Sequence, residues 1–170
     1  MRTIVADGLT LEPQVAAHAE EMFAVLSDPA IYEYERQAPA SLDWLRQRYA
    51  RLESRRSADG REQWLNWVIR LASGELAGYV QATVTEEGRA GIAYELASRY
   101  WGRGLARRAV EAMTDELATH YRVQTLTAVL KRANHRSRRL LERLGFSLVS
   151  AEDGRVGADE ILMERPIAAP

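Results

Sequence analysis

The sequence predicts an α+β fold in which a single mixed, mostly antiparallel, twisted sheet is flanked by helices. Three observations predict it. Two amphipathic helical stretches come early, an antiparallel meander of alternating residues follows, and the chain then runs strand, helix, strand, helix, strand, strand with one parallel-type crossover. At 170 residues the chain has the size of one domain spanning 1–170, with a single substantial core.

Short alternating runs at residues 3–5 and 9–11 read as a strand or small hairpin. Glu12-Pro13 then opens a helix to about Ser27, with proline in its first turn, and Asp28-Pro29 breaks it. A short helix is expected over residues 30–34. Ser41 is a suitable N-cap for a longer helix over 42–56 that carries Trp44, Leu45, Tyr49 and Leu52.

Strands are expected over 64–71, 76–85 and 90–97, joined by Ser73-Gly74 and by Glu86-Glu87-Gly88-Arg89, turns with glycine available for positive φ. In the last of them Ile92, Tyr94 and Leu96 share one face, and Ala93 and Glu95 the other. Leu105, Ala109, Val110, Met113 and Leu117 then form the apolar stripe of a helix over 105–119. A strand over 123–130 follows, Asn134 caps a helix to Leu144, and Gly145 ends it. Strands over 146–150 and 160–165, joined through Asp153-Gly154-Arg155 and Val156-Gly157, close the chain.

Composition removes several classes of function. The 23 basic and 24 acidic side chains nearly cancel, so no global field draws the protein to nucleic acid or an anionic membrane. Cysteine is absent, which excludes a disulfide framework, a thiolate metal site and a cysteine acyl-enzyme. The scattered His18, His120 and His135 have no metal-ligand spacing, so no metal is implied. With neither a signal-peptide core at the N-terminus nor an apolar run near 18 residues, the expected location is cytoplasmic, with no membrane contact.

The chemistry concentrates at Arg99-Tyr100-Trp101-Gly102-Arg103-Gly104-Leu105-Ala106, between a strand and an amphipathic helix. A glycine turn at a helix start exposes free N–H groups, lets the main chain approach a ligand and adds the positive end of the helix dipole, which suits a diphosphate. The bland alternative is a tight strand-to-helix turn. Neither a dinucleotide fingerprint nor a P-loop fits, because Arg107 stands where the third glycine should be and no Gly-x-x-x-x-Gly-Lys-Ser/Thr occurs.

Arg99-x-x-Gly102-x-Gly104 resembles the Gln/Arg-x-x-Gly-x-Gly/Ala signature of the GNAT N-acetyltransferase superfamily. Tyr-Trp-Gly-Arg-Gly-Leu-Ala is close to the form in the branch of ribosomal-protein N-terminal (RimJ/RimL-type) acetyltransferases. Asn134 to Phe146 is similar to the family's Asn-x-x-Ser/Ala and Gly-Phe segment, so the resemblance covers roughly residues 90 to 150. It implies the GNAT acyl-CoA N-acyltransferase fold and acetyl-coenzyme A as co-substrate. It also implies cofactor contacts from Leu96, Ala97, Arg99, Gly102, Arg103, Gly104, Leu105, Ala106, Asn134 and Ser137. The N–H of Leu96 or Ala97 would be the oxyanion donor.

Glu95 is then the acidic residue closest to the thioester and the expected base, and Ser137 the proton donor or thiol-positioning group. The sequence departs from the family pattern in two ways. Ser98 and Gly91 stand where many relatives have a second carboxylate, and Leu141 stands where many have a tyrosine. Other readings remain for two residues. Ser137 could simply bond a carbonyl of its own helix, and Asn134 could cap its helix as well as bind pantetheine. Most of the basic cluster Lys131, Arg132, Arg136, Arg138, Arg139 and Arg143 reads as a solvated helix face.

The resemblance implies acceptor contacts from Tyr34, Glu35 and Tyr79, where the aromatic residues would otherwise be core and the Glu35 carboxylate could bind a cationic amine. The acceptor class follows from acidity. An α-amine has a pKa near 8 and a lysine amine near 10.4, a difference of roughly 3 kcal/mol in deprotonation, so a site lacking an obvious strong base suits a peptide N-terminus slightly better, and the resemblance points the same way. A small amine such as a polyamine or antibiotic is the alternative acceptor, and a silent acyl-CoA binding module the alternative function. The chain is expected to be a monomer or homodimer.

Overall fold

The computed structural model describes residues 1–34, 37–149 and 156–167. Its framework is an eight-stranded sheet in the order β1-β2-β3-β4-β5-β6-β8-β7. The strands are β1 (Ile4–Ala6), β2 (Leu9–Pro13), β3 (Glu62–Leu71), β4 (Leu76–Thr85), β5 (Arg89–Leu96), β6 (Thr125–Lys131), β7 (Ser147–Val149) and β8 (Glu160–Pro166). Every pairing is antiparallel except that of β5 with β6. The helices are α1 (Ala19–Leu26), α2 (Leu42–Leu52), α3 (Leu105–Tyr121) and α4 (His135–Arg143). This is the mixed, mostly antiparallel α+β sheet that the sequence predicts.

The parallel pair is short: Arg89, Ala90 and Gly91 of β5 match Thr125, Leu126 and Thr127 of β6, and there the pairing ends. Beyond it the two strands part. β5 stays paired with β4 up to Gly78↔Leu96, and β6 stays paired with β8 up to Lys131↔Glu160. The resulting wedge is the opening that positions the site.

The two faces of the sheet are covered differently. Trp64, Asn66, Gln81 and Thr83 alternate onto the face where α2 lies, with α1 packed against α2 and β4. Trp67 alternates onto the opposite face, where its Nε1–H donates to the Arg2 carbonyl at 3.0 Å and Arg2 in turn pairs with Glu116 of α3. The apolar stripe of α3 (Ala109, Val110, Met113 and Leu117) is fully buried, as its period requires.

Several boundaries differ from the sequence expectation. Pro13 does not open a helix; it ends β2 opposite Trp67, at the close of the ladder, where a missing N–H costs nothing. Glu12 reaches across to Arg70, and Gln14 N–H continues the pairing to the Asn66 carbonyl at 2.9 Å. The chain turns only at Ala16–His18, a 3₁₀ turn capped by the His18 ring accepting from Val15 N–H, before α1 begins. The short helix expected over 30–34 is a 3₁₀ turn at Pro29–Tyr32. Ser41 caps α2 by accepting from Trp44 N–H at 3.1 Å, but α2 stops at Leu52, and Arg56 forms a bridge with Gln63. β6 starts at Thr125, leaving Val123 buried in the connection. The expected turn Asp153-Gly154-Arg155 and Ser150 lie outside the described residues. Among the described residues, no helix is long and apolar enough to cross a membrane.

Candidate active site

A cleft of about 760 Å³ fills the wedge between β5 and β6. Its floor and near wall are Ile92 to Leu96, its far wall Ala128 to Leu130, and its ends the glycine turn before α3 and the first turns of α4. The expected site residues Tyr34, Glu95, Leu96, Gly102, Gly104, Leu105, Ala106, Asn134 and Ser137 all line it. Ala97, Arg99, Arg103 and Tyr79 do not. Glu35 lies outside the described residues.

The glycine turn is built by the main chain. Gly102 and Gly104 have φ of +74° and +73°, a region that side chains disfavour, and a Cβ on Gly102 would meet nothing within 4 Å. Gly104 is the N-cap of α3, and the first ladder bond is Arg108 N–H to the Gly104 carbonyl at 3.1 Å. The N–H groups of residues 102 to 107 therefore have no acceptor among the described residues. Such a fan of donors at a helix start fits a pyrophosphate.

The arginines are disposed differently from the expectation. The Arg99 and Arg103 guanidiniums stand over the buried Tyr100 ring, 4.7 and 5.7 Å from its centroid. Cation–π contact draws them to the ring rather than into the cleft. The arginines lining the cleft are instead Arg107 of α3, whose Nε pairs with Glu111 at 2.9 Å, and Arg136, Arg139 and Arg143 of α4. Arg136 lies over the Trp101 ring at 3.4 Å, so a cation–π contact joins α4 to the glycine turn. Elsewhere in the basic cluster, Arg138 pairs with Glu142 and Lys131 with Asp159 and Glu160.

At the open end of β5 the backbone donors divide. Ala97 N–H donates to the Ala77 carbonyl at 3.0 Å, so it is already committed. Bonded and non-bonded pairs alternate along an antiparallel ladder, so the Tyr94 and Leu96 N–H groups turn from β4 toward the space that β6 has vacated. The Leu96 carbonyl accepts from Trp101 Nε1–H at 2.9 Å, which ties the strand end to the glycine turn.

Tyr94 carries a group that reading the sequence missed. Its hydroxyl and Ser137 Oγ share a hydrogen bond of 2.7 Å, and the same hydroxyl lies 3.4 Å from the Ser137 carbonyl. Ser137 thus bonds β5 rather than a carbonyl of its own helix. Burial pushes the Tyr94 phenol up to about 12, so it stays protonated at any neutral pH. Strand alternation placed Tyr94 opposite in facing to Glu95, but no local signal said that α4 would pass beside it. Asn134 caps α4 by accepting from Ser137 N–H at 3.0 Å, leaving its amide N–H₂ toward the cleft.

Asp28, which the sequence marked only as a helix breaker, braces the site. One carboxylate oxygen accepts from Ala30 N–H at 3.0 Å and the other from Ser98 N–H at 2.7 Å. Hydrogen bonds from Ser98 hold its carboxyl below the ordinary value. Tyr34, at the end of that turn, has its phenol raised, first by a hydrogen bond with Glu33. Tyr79 is the cross-strand partner of Glu95 on the face shared with α2, packed against the core.

The acetyltransferase (GNAT) domain family model matches residues 8–147. An uncharacterized N-acetyltransferase, p20, from Bacillus licheniformis is 25% identical over 148 residues, 86% of this chain and 83% of that protein. Among solved structures, RimL, a ribosomal L7/L12 alpha-N-protein acetyltransferase in complex with coenzyme A, superposes with a TM-score of 0.82 at 16% identity, covering 99% of both chains. A ribosomal-protein-S5-alanine acetyltransferase from Vibrio fischeri gives 0.81 at 17% identity over 96% of both. The chain belongs to the GNAT acetyltransferase family and is an acetyl-coenzyme A-dependent N-acetyltransferase acting on an amine.

Proposed function

We propose that the protein acetylates the N-terminal α-amine of a protein or peptide by direct attack on acetyl-coenzyme A. The observation that carries this reading is one continuous cleft that joins a glycine turn rich in free N–H groups to Glu95 and the Tyr94–Ser137 hydroxyl pair. Among the described residues lining it, Glu95 is the one carboxylate. A site with a single candidate base favours the more acidic amine, which is the α-amine.

Acetyl-coenzyme A supplies a thioester carbon open to attack and a sulfur that leaves with a proton. The N–H groups of residues 102 to 107, with Arg107, Arg139 and Arg143, would hold its phosphates, and the Asn134 amide its pantetheine. Leu96 N–H would donate to the carbonyl oxygen as charge gathers there. Glu95 would take a proton from the amine as nitrogen bonds to carbon, directly or through one water. Ser137 Oγ would give its proton to the sulfur as the carbon–sulfur bond breaks and be resupplied by the Tyr94 hydroxyl. On this reading Tyr94 does from β5 what the tyrosine absent at Leu141 does elsewhere in the family.

The test is acetyl-coenzyme A-dependent thiol release with four acceptors, each against a no-acceptor blank. The acceptors are a peptide with a free N-terminus and no lysine, an N-terminally blocked lysine peptide, a polyamine and an aminoglycoside. Release with the free N-terminus above the others supports the proposal. Release confined to the polyamine or aminoglycoside replaces it with small-amine acetylation.

A further inference from the structure

A second pocket, of about 390 Å³, lies on the face of the sheet that α2 covers. Its floor is Trp64 and Asn66 of β3 with Gln81 and Thr83 of β4, and its wall is Arg48, Arg51 and Leu52 of α2. The register sets Asn66 opposite Gln81 and Gln81 opposite Ala93, and Ala93 and Glu95 line the main cleft. Two strand spacings, about 10 Å, separate Asn66 from β5. Glu95, like Gln81 and Asn66, points to this same face.

Asn66 is 5% exposed, and its side-chain amide has no hydrogen-bond partner among the described residues. The amide lies on the pocket floor and opens onto it, so it is available to bond what enters. The charges agree. Arg46, on the same helix, is paired with Glu20 and Asp43, whereas Arg48 and Arg51 have no carboxylate within ion-pair reach among the described residues. The Arg48 guanidinium lies over the Trp44 ring, 5.7 Å from its centroid. Among the described residues no acidic side chain lines the pocket, although the Glu62 carboxylate accepts from Trp64 Nε1–H at 3.0 Å beside it. Two free guanidiniums, amide N–H₂ groups and a hydroxyl make a donor-rich set that matches a carboxylate.

We infer that this pocket is an acceptor subsite for a carboxylate carried by the amine substrate. For a peptide this is an Asp or Glu side chain near its N-terminus. The inference rests on the α-amine reading above. At about 3.3 Å of rise per extended residue, a 10 Å offset places the acidic residue about three positions along, so positions two to four are the ones to test.

The experiment uses six-residue peptides with free N-termini, identical except for Asp or Asn at position two, three or four. Binding to the coenzyme A-saturated protein is measured by calorimetry and turnover by thiol release. At least tenfold tighter binding of an Asp peptide over its Asn twin is expected. That ratio should shrink toward one in the double variant Arg48→Gln/Arg51→Gln, whose exposed positions leave the thermal melt unchanged. Asn66→Leu, which keeps the bulk and removes the amide, should lower the ratio in part. Equal binding at all three positions, no measurable binding of either peptide, or a preference that survives in the double variant overturns the subsite. The two readouts separate the failures: equal binding with turnover removes the subsite and keeps the α-amine reading. Asp preference lost in the double variant, with turnover of neither peptide, keeps the carboxylate pocket and removes that reading.

Discussion

The two sides of the proposed reaction centre are made of different material. On the cofactor side the donors are main-chain N–H groups from residues 102 to 107, shaped by two positive-φ glycines within one short stretch. On the acceptor side proposed above the groups are side chains, drawn from the turn at Pro29–Tyr32, from α2, and from β3 and β4. A site built from backbone leaves a contiguous signature, because its requirements are conformational and fall on neighbouring residues. A site built from distant side chains leaves none, because each member is an ordinary surface residue until the fold brings it to the others.

The sharpest way to break both sides at once is Gly78→Ala, at their seam. A Cβ on Gly78 would lie 1.9 Å from the Glu95 carbonyl oxygen and 2.8 Å from Leu96 Cα, both main-chain atoms that cannot step aside like a flexible side chain. The β4–β5 ladder must shift where β5 enters the wedge, moving the Leu96 N–H and Glu95 together. We expect a loss of about 3 kcal/mol in stability, read as a lower denaturant midpoint, and more than a hundredfold loss of turnover. Wild-type turnover in this variant would show that the close contact has no bearing on the site.

Gly104→Val breaks one side and spares the other. A β-branched residue at φ +73° is strained, and its Cβ would press to 3.3 Å from Arg108 Nη1. The turn should open and lose its aligned N–H groups, so coenzyme A affinity should fall at least thirtyfold by calorimetry while the circular dichroism spectrum stays native. Peptide binding in the second pocket should change little. Retained coenzyme A affinity would remove the main-chain cradle from the site.

What could be read from the sequence follows the same division. The glycine turn, the strand entering it and Asn134 as a cap were all legible, since each depends on residues a few positions apart. Pro13 misled because proline is equally at home in the first turn of a helix and at the end of a strand, and only the pairing with Trp67 decides. The resemblance implied cofactor contacts from Arg99 and Arg103, but the Tyr100 ring competes for their guanidiniums, and side-chain direction is not written in spacing. The pairing of Tyr94 with Ser137 spans 43 residues and two elements. The unpaired Asn66 was invisible for the same reason: alternation can place it on a face, but not tell what the opposing helix fails to offer it.

A smaller effect is expected from the hydroxyl pair. Tyr94→Phe keeps the ring and its packing but removes the partner of Ser137 Oγ, and should lower kcat about tenfold with the KM for acetyl-coenzyme A little changed. Ser137→Ala should match it, and the double variant should be no worse than either, because the two hydroxyls act as one relay. The wild-type phenol is pushed up to about 12, so the pH profile of kcat should show no falling limb from Tyr94 below pH 10. Additive losses in the double variant would assign the two hydroxyls separate roles.

The smallest expected effect tests the brace between the two sides. Asp28 caps the turn at Pro29–Tyr32 on the acceptor side and accepts from Ser98 N–H at the exit of β5 on the cofactor side. Asp28→Ala should cost about 1 kcal/mol, toward the lower end of the range for caps because solvent screens the carboxylate. Its pH dependence has a definite sign. The folded carboxyl titrates below its ordinary value of 3.8, chiefly through hydrogen bonds from Ser98, so the contribution is complete above that value and disappears as pH falls through the lower folded one. The melting temperatures of wild type and variant should therefore differ by a constant few degrees between pH 5 and pH 7 and converge only in acid below about pH 3.8. A gap that persists undiminished at pH 2 would mean that Asp28 acts through its packing, and that the two sides are held in register by something other than its charge.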